Sequence, residues 1–253
     1  MADMRIKFLA TSVQMQMHLG VFLPDAAIAA SDSIPASGLK TLWLLHDAGG
    51  DDSDWMRLSM VEHYAQAAGV ALIMPSMDNS MYIDMAYGGY PYFRYLTEDL
   101  PNHVRNLVRV LSVRPEDNYV AGVGVGGYGA LKWALRFPDA FAAAAAFSAP
   151  IDIVGALRRQ EDAGGLANDW AAAFGSAAAV EGTPDDLLLL ARGRSNSAPT
   201  ALYVDAGLAD EASLPPAFAP LKSPGAPDMA GWPYWDSRIR AFIDDIVLSA
   251  EAR

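Results

Sequence analysis

The chain has 253 residues, the size of one large α/β domain, and its content of 52% hydrophobic and 19% charged residues excludes wholesale disorder. A formal net charge of −12 disfavours nucleic acid and anionic membrane surfaces as partners. The sequence has no cysteine, which excludes disulfides and thiolate metal sites. The first residues lack the apolar core of a signal peptide, and no apolar run approaches the roughly 20 residues of a membrane span. These features predict a soluble, cytoplasmic protein.

The first half of the chain alternates apolar segments with turns. Apolar residues at every second position predict a half-buried strand over Met15–Leu23, paired with Ile6–Leu9 in an antiparallel hairpin. The continuous apolar run Thr41–Leu45 is typical of a strand covered on both faces. The elements predicted next are a helix from Trp55 to Ala68 closed by Gly69, a strand over Val70–Met74 and a long loop over Pro75–Tyr92.

The second half continues this alternation. The predicted elements are a helix capped by Thr97, a strand, turn and helix over Asn118–Phe137 that Pro138 ends, a strand over Ala142–Phe147, a mostly helical segment over Pro150–Pro199, a strand over Thr200–Val204 and a terminal helix from Trp235 to Ile246. Strands that alternate with helices indicate a mainly parallel sheet with helices on both faces. We expect one α/β domain over residues 1–253.

The turn after the strand at Tyr119–Val123 is rich in glycine. A sharp strand-to-helix turn with the pattern G-x-S-x-G is the nucleophile elbow of α/β-hydrolases, where it exposes a serine hydroxyl. Here the middle position is Gly124. Gly122, Gly124 and Gly127 also satisfy the dinucleotide-binding pattern G-x-G-x-x-G, but no acidic residue follows the next strand, where Ser148 stands. The sequence therefore favours an elbow that lacks its nucleophile.

Several longer segments carry a family resemblance. They are LLHDAGGDDSDW, DNSMYIDMAYG, YLTEDLP, GVGVGGYGALKWALRFPDAF and the terminal WPYWDSRI. With these segments the chain resembles the tributyrin esterase branch of the esterase D-like α/β-hydrolases, a family that includes relatives of S-formylglutathione hydrolase. The resemblance covers nearly the whole chain and implies an α/β-hydrolase fold built for the hydrolysis of short carboxylic esters, with no cofactor.

The resemblance assigns the catalytic positions residue by residue. The nucleophile falls on Gly124, the triad acid on Asp210 and the triad histidine on Ala230. The same pattern implies an oxyanion hole formed by the backbone N–H groups of Val125 and Ala48. Of the three triad side chains, the resemblance therefore leaves only the acid.

The resemblance also marks the residues around the expected cleft. It implies that His46 shapes the oxyanion loop and places Asp78, Tyr82 and Asp84 in the substrate loop. The candidate substrate contacts are His46, Asp78, Tyr82 and Asp84. The segment that carries the carboxylates of Asp51, Asp52 and Asp54 lacks the glycine and the distal glutamate of a calcium loop, so no metal site is predicted. Ser148 is the best remaining serine near the sheet edge, but no histidine is expected beside it and we interpret it as structural.

The loss of the base does not depend on the alignment. The histidines of the chain are at positions 18, 46, 63 and 103, and none follows the elbow, whereas this fold places acid and histidine after the nucleophile. The linker between Asp210 and the terminal helix carries five prolines, at positions 215, 216, 220, 224 and 227, and no β-branched residue. Because proline disfavours helices and strands, we expect irregular chain there with no paired strand.

These observations predict an esterase-family protein that has lost serine catalysis and retains a pocket. Two alternatives stay open at this point. One is an active or residual carboxylic ester hydrolase on short acyl esters, and the other is a protein that binds a small molecule or takes part in an assembly. The sequence leaves the ligand and a homo-oligomeric state undetermined.

Overall fold

The fold is a single twisted layer of strands covered by helices on both faces. The computed structural model describes residues 1–25, 34–195, 197–205, 215–220 and 231–248. The strands are β1 (Ala2–Ala10), β2 (Met15–Leu23), β3 (Thr41–Leu45), β4 (Ala71–Pro75), β5 (Asn118–Val123), β6 (Ala143–Phe147), β7 (Ala201–Val204) and β8 (Ala219–Pro220). They form one sheet in the order β1-β2-β4-β3-β5-β6-β7-β8.

Strand direction follows the sequence prediction. β1 and β2 form the antiparallel entry hairpin, and β2 pairs antiparallel with β4. All pairings from β4 through β3, β5, β6 and β7 to β8 are parallel. The predicted mainly parallel sheet is confirmed, and it brings the carboxyl ends of β3, β5, β6 and β7 to the same edge.

Helices close the sheet on each side. They are α1 (Asp54–Leu58), α2 (Val61–Ala68), α3 (Tyr92–Arg94), α4 (Leu100–Leu107), α5 (Val125–Arg136), α6 (Ile153–Asp162), α7 (Asn168–Phe174), α8 (Ala177–Val180), α9 (Leu187–Arg192) and α10 (Trp232–Phe242). Side chains of α1, α2 and α10 pack into one buried cluster, and those of α4 to α9 pack into the other. In the described part of the chain, no helix is both long enough and apolar enough to cross a membrane.

The predicted helix from Trp55 to Ala68 is interrupted, which corrects the sequence interpretation. Ser59 is extended between α1 and α2, and its hydroxyl donates to the carbonyl of Trp55 at 2.5 Å. The N–H of Met60 donates to Asp236 of α10 at 2.6 Å. A contact with a residue 176 positions away thus ends the first helix, whereas Gly69 closes the second in a left-handed conformation as predicted.

Thr97 does not cap a helix, contrary to the prediction. The helical stretch begins earlier at Tyr92, and Thr97 lies inside a π-helical turn over Tyr95–Asp99 that leads into α4. Its hydroxyl donates to the carbonyl of Phe93 one turn before, at 2.9 Å. Pro101 follows at the start of α4 and has no N–H for an ordinary helical bond, which accounts for the widened turn.

The prediction of no paired strand between Asp210 and the terminal helix is wrong at one point. β8 pairs parallel with β7 through Ala219 and Pro220. A proline is tolerated there because β8 is the edge strand and covers two residues. Most of the linker, residues 206–214 and 221–230, lies outside the described residues.

Candidate functional site

The turn between β5 and α5 has the backbone conformation of a sharp elbow. Gly124 has φ 53° and ψ −124°, a left-handed φ that strains any residue with a side chain. Its N–H donates to the carbonyl of Phe147 on β6 at 2.9 Å, and its carbonyl accepts the first helical bonds, from Gly127 at 3.1 Å and Tyr128 at 3.2 Å. The predicted strand, turn and helix are therefore confirmed.

Glycine lets the backbone segments at the elbow approach each other closely. A Cβ at Gly126 would lie 2.5 Å from the carbonyl oxygen of Leu45 at the end of β3. A Cβ at Gly122 would lie 2.7 Å from the nitrogen of Gly127. The first turn of α5 is thus pressed against the loop that follows β3, and this proximity decides what can fill the space over the elbow.

The side chain that fills this space is Asp47. A Cβ on Gly124 would overlap its carboxylate, with even the more distant oxygen, Oδ2, at 2.5 Å. Oδ1 of the same carboxylate accepts a hydrogen bond from the N–H of Val125 at 2.9 Å. A carboxylate therefore lies where a serine side chain would project and uses the N–H expected to stabilise an oxyanion.

His46 fixes the backbone that carries Asp47. Its Nε2 accepts from the N–H of Met77 at 2.9 Å, so Nδ1 carries the proton and donates to the carbonyl of Asp47 at 2.7 Å. Burial lowers the pKa of the imidazole, and the carbonyl of Asp47 and nearby carboxylates oppose this only in part. With both ring nitrogens engaged, His46 holds the backbone of the loop in place, and its assignment as a substrate contact stays a prediction.

The second expected oxyanion donor lies on the same loop. Ala48 is exposed at its tip, next to Gly49, whose N–H donates to the side chain of Asn79 at 2.7 Å. The N–H of Gly50 donates back to the carbonyl of Asp47 at 3.1 Å. The two residues assigned to the oxyanion hole therefore differ: the N–H of Val125 binds a carboxylate, and Ala48 is an exposed residue.

The three substrate-loop candidates form hydrogen bonds within the loop and to its neighbours. Tyr82 is buried under α5 and donates to the carbonyl of His46 at 2.7 Å. Asp78 accepts from Tyr92 at 2.6 Å, and burial, followed by this bond, raises the pKa of the Tyr92 phenol. Asp84 is exposed and accepts from the backbone N–H of Arg94 at 3.1 Å, at the start of the helical stretch. Their assignment as ligand contacts stays a prediction.

A buried polar cluster lies beyond β6 and β7. Asp205, at the end of β7, accepts a hydrogen bond from the hydroxyl of Tyr234, and Nε of Arg238 lies 3.8 Å from the same carboxylate oxygen. Beside it the indole N–H of Trp235 donates to Ser148 at 3.0 Å. The terminal helix is thus tied to the carboxyl edge of the sheet by side chains that sequence analysis did not assign, with the exception of Ser148.

The three carboxylates considered for a metal are engaged elsewhere. Asp52 is buried and binds Arg5 through both oxygens at 2.7 Å. Asp51 accepts from the hydroxyl and the backbone N–H of Ser53, at 2.6 and 2.8 Å. Asp54 pairs with Arg57 at 2.7 Å. These contacts fix the start of α1 and the edge of the sheet.

A family model described as "Putative esterase" matches residues 10–220. The chain belongs to this esterase family. The acetyl esterase of Caldicellulosiruptor saccharolyticus is 24% identical over 192 residues, which cover 74% of this chain and 72% of the relative. These matches confirm the family resemblance drawn from the sequence.

Two solved structures from Staphylococcus aureus are similar over almost the whole chain. One is the substrate-bound fluorophosphonate-binding serine hydrolase FphF, which is 28% identical with a TM-score of 0.79 over 97% of this chain and 98% of that one. The other is the apoenzyme of the S-formylglutathione hydrolase FrmB, which is 28% identical with a TM-score of 0.74 over the same shares. They confirm the α/β-hydrolase fold.

The esterase family match ends at residue 220, before position 230, to which the resemblance assigns the triad histidine. Ala230 and the predicted triad acid Asp210 both lie outside the described residues, and their assignment stays a prediction. Gly124 and Val125 lie together at the elbow, with Ala48 and His46 on the facing loop.

Sequence analysis assigned no role to Asp47, the residue that joins the elbow to the facing loop. An acidic residue directly after the oxyanion-loop histidine, at the end of a buried strand, was the available signal.

Proposed function

We propose that this member of the esterase family does not hydrolyse esters by a serine mechanism. The observation that carries the proposal is the carboxylate of Asp47 lying over Gly124 and accepting the N–H of Val125. An ester carbonyl needs an attacking hydroxyl beneath it and donors beside its oxygen. At this elbow the residue is glycine, and one expected donor already binds an anion of the protein itself.

The size of the expected loss supports the proposal. Enzymes stripped of nucleophile and base retain about 10³- to 10⁴-fold acceleration over water, owing to the oxyanion hole and substrate binding. Here the N–H of Val125 already binds Asp47, so the rate acceleration that remains should be smaller still. Nor does His46 supply a base, since Nε2 accepts from Met77 and Nδ1 donates to Asp47.

The role we propose in place of hydrolysis is small-molecule binding on a retained hydrolase scaffold. A groove of about 480 Å³ supports it, within the range of ligand pockets. It is lined by Trp43, Trp133, Phe137 and Phe141 and lies where β5 begins and α5 ends. The groove is thus at the amino edge of the sheet, away from the elbow.

A fluorophosphonate probe tests the loss of serine chemistry directly. Such probes label an activated serine, and S. aureus FphF, which binds them, serves as the positive control. We expect labelling of FphF and none of this chain under the same conditions, measured by intact mass. We also expect hydrolysis of short nitrophenyl esters no faster than by the heat-denatured chain. A labelled serine, or a turnover above about 1 s⁻¹, would contradict the proposal.

A further inference from the structure

The space over the elbow holds a carboxylate in the geometry of a bound ligand. Oδ1 of Asp47 lies 2.9 Å from the N–H of Val125, the first residue of a 12-residue helix. The first N–H groups of a helix carry a partial positive charge and favour anions. Asp47 lies in the loop after β3 and not in the helix itself, so its carboxylate reaches this position from a separate segment.

The backbone of Asp47 is held in place independently of its carboxylate. Its carbonyl accepts from the imidazole of His46 at 2.7 Å and from the N–H of Gly50 at 3.1 Å. The carbonyl of His46 in turn accepts from the buried hydroxyl of Tyr82 at 2.7 Å. Because these contacts do not involve the carboxylate, truncating the side chain should leave the loop and the hole in place.

We propose that the hole over the elbow is a carboxylate-binding site whose resident ligand is the side chain of Asp47. The contact is inhibitory in effect, because an acyl group can use the N–H of Val125 only after this carboxylate leaves. The inference rests on the proposed function in one respect, the absence of a side chain at Gly124. It goes further in naming the class of ligand that the vacated hole would take, which is a small monocarboxylate.

Two truncations give a size-matched test. Asp47→Ala removes a group the size of formate, whereas Asp47→Gly removes a group the size of acetate. We expect the alanine variant to bind formate better than acetate and the glycine variant to bind acetate at least as well as formate. The alanine variant should bind formate, and the glycine variant acetate, about tenfold or more tightly than the wild type binds the same anion. In each case a charge-assisted hydrogen bond is regained.

Binding is measured by the midpoint of thermal unfolding and by the backbone amide signal of Val125. Each salt is titrated against sodium chloride at equal ionic strength. A ligand that binds the native state raises the midpoint in a saturable way, and the Val125 signal should move with the same dissociation constant. Asp162→Ala is the matched control, because it removes an exposed carboxylate at the end of α6, outside the groove.

Each outcome decides the proposal. Saturable, size-matched binding confined to the two Asp47 variants supports it. No saturable binding, or equal binding by the wild type or by Asp162→Ala, overturns it. Should a variant unfold without anion, the same titration follows recovery of the native circular dichroism signal, and a failure to recover counts against the proposal. Ester hydrolysis by the wild type would instead overturn the proposed function and leave this result unchanged.

Discussion

The two ends of helix α5 differ in how their space is filled. At Val125 the helix begins against the loop after β3, and the carboxylate of Asp47 fills the volume over Gly124. At Arg136 the helix ends beside the 480 Å³ groove, whose wall includes Phe137. The esterase family places its chemistry at the first end, and here the 480 Å³ groove lies at the second. A search for a ligand should therefore include both edges of the sheet.

The largest expected effect comes from adding a methyl group at the first end of α5, which we call the packed end. Gly126→Ala places a Cβ 2.5 Å from the carbonyl of Leu45, and neither backbone segment can move aside cheaply. We expect the free energy of unfolding to fall by about 3 kcal/mol or more, measured by urea denaturation. Gly193→Ala, whose Cβ would meet its nearest neighbour at 3.5 Å, should change it by less than about 1 kcal/mol. Equal effects would mean that the elbow is not closely packed.

The second-largest effect is expected on the rate of fluorophosphonate labelling when the catalytic residues are rebuilt. Gly124→Ser alone should not be labelled by a fluorophosphonate, because the sequence has no histidine after the elbow and Asp47 occupies the place of the hydroxyl. Gly124→Ser with Ala230→His should be labelled slowly. Adding Asp47→Gly should speed labelling by about 10- to 150-fold, the equivalent of about 1.5–3 kcal/mol for a hydrogen bond to a charged group.

The rate of labelling is followed by intact mass for the double and the triple variant side by side. If both react equally fast, Asp47 is no obstacle to a serine at this position. If the double variant already reaches the rate of FphF, the loss of function comes down to two side chains.

Acid should lower the stability of the fold through protonation of His46, which lies at the packed end. Burial lowers the pKa of this imidazole in the native state. Below its ordinary value of about 6.5, the unfolded chain therefore binds a proton that the native chain does not, and stability is lost as the pH falls, by at most about 1.4 kcal/mol per pH unit.

Urea denaturation between pH 5 and 7.5 checks this expectation. The pH dependence in this range should be shallower in His46→Gln than in the wild type. His63→Gln, at an exposed position on α2, should keep the slope of the wild type. A slope unchanged in His46→Gln would show that acid sensitivity arises elsewhere.

The smallest effect is expected at the open end of the helix. Val113 lines the groove and is 64% exposed. Val113→Ala should therefore alter the free energy of unfolding by less than about 0.5 kcal/mol while widening the groove. A loss above about 1.5 kcal/mol in urea denaturation would show that this wall is packed rather than open.

Local patterns were sufficient to predict most of the fold. Alternation in Met15–Leu23, the apolar run Thr41–Leu45 and the glycines around Gly124 identify strands and a turn, because each pattern reflects burial or a backbone requirement of a few consecutive residues. The break at Ser59 was not predictable in this way. It depends on Asp236, which approaches Met60 only in the folded chain.

The candidate site was predictable in its backbone but not in its occupant. The glycines mark the elbow by themselves, whereas the position of the Asp47 carboxylate depends on how closely α5 approaches the loop after β3. The same holds for the buried contacts of Asp205 with Tyr234 and Arg238. They join the end of β7 to helix α10, which begins at position 232, 27 residues after position 205. Contacts between distant segments leave little trace in a single sequence.

The overlap between a side chain at position 124 and the carboxylate of Asp47 also constrains the history of the site. In a lineage that began with serine at the elbow, an aspartate at position 47 would have had no room in its present conformation. Asp47 could then have taken its present conformation only after the change to Gly124. From that point a mutation back to serine would have met the carboxylate, which would first have had to move aside.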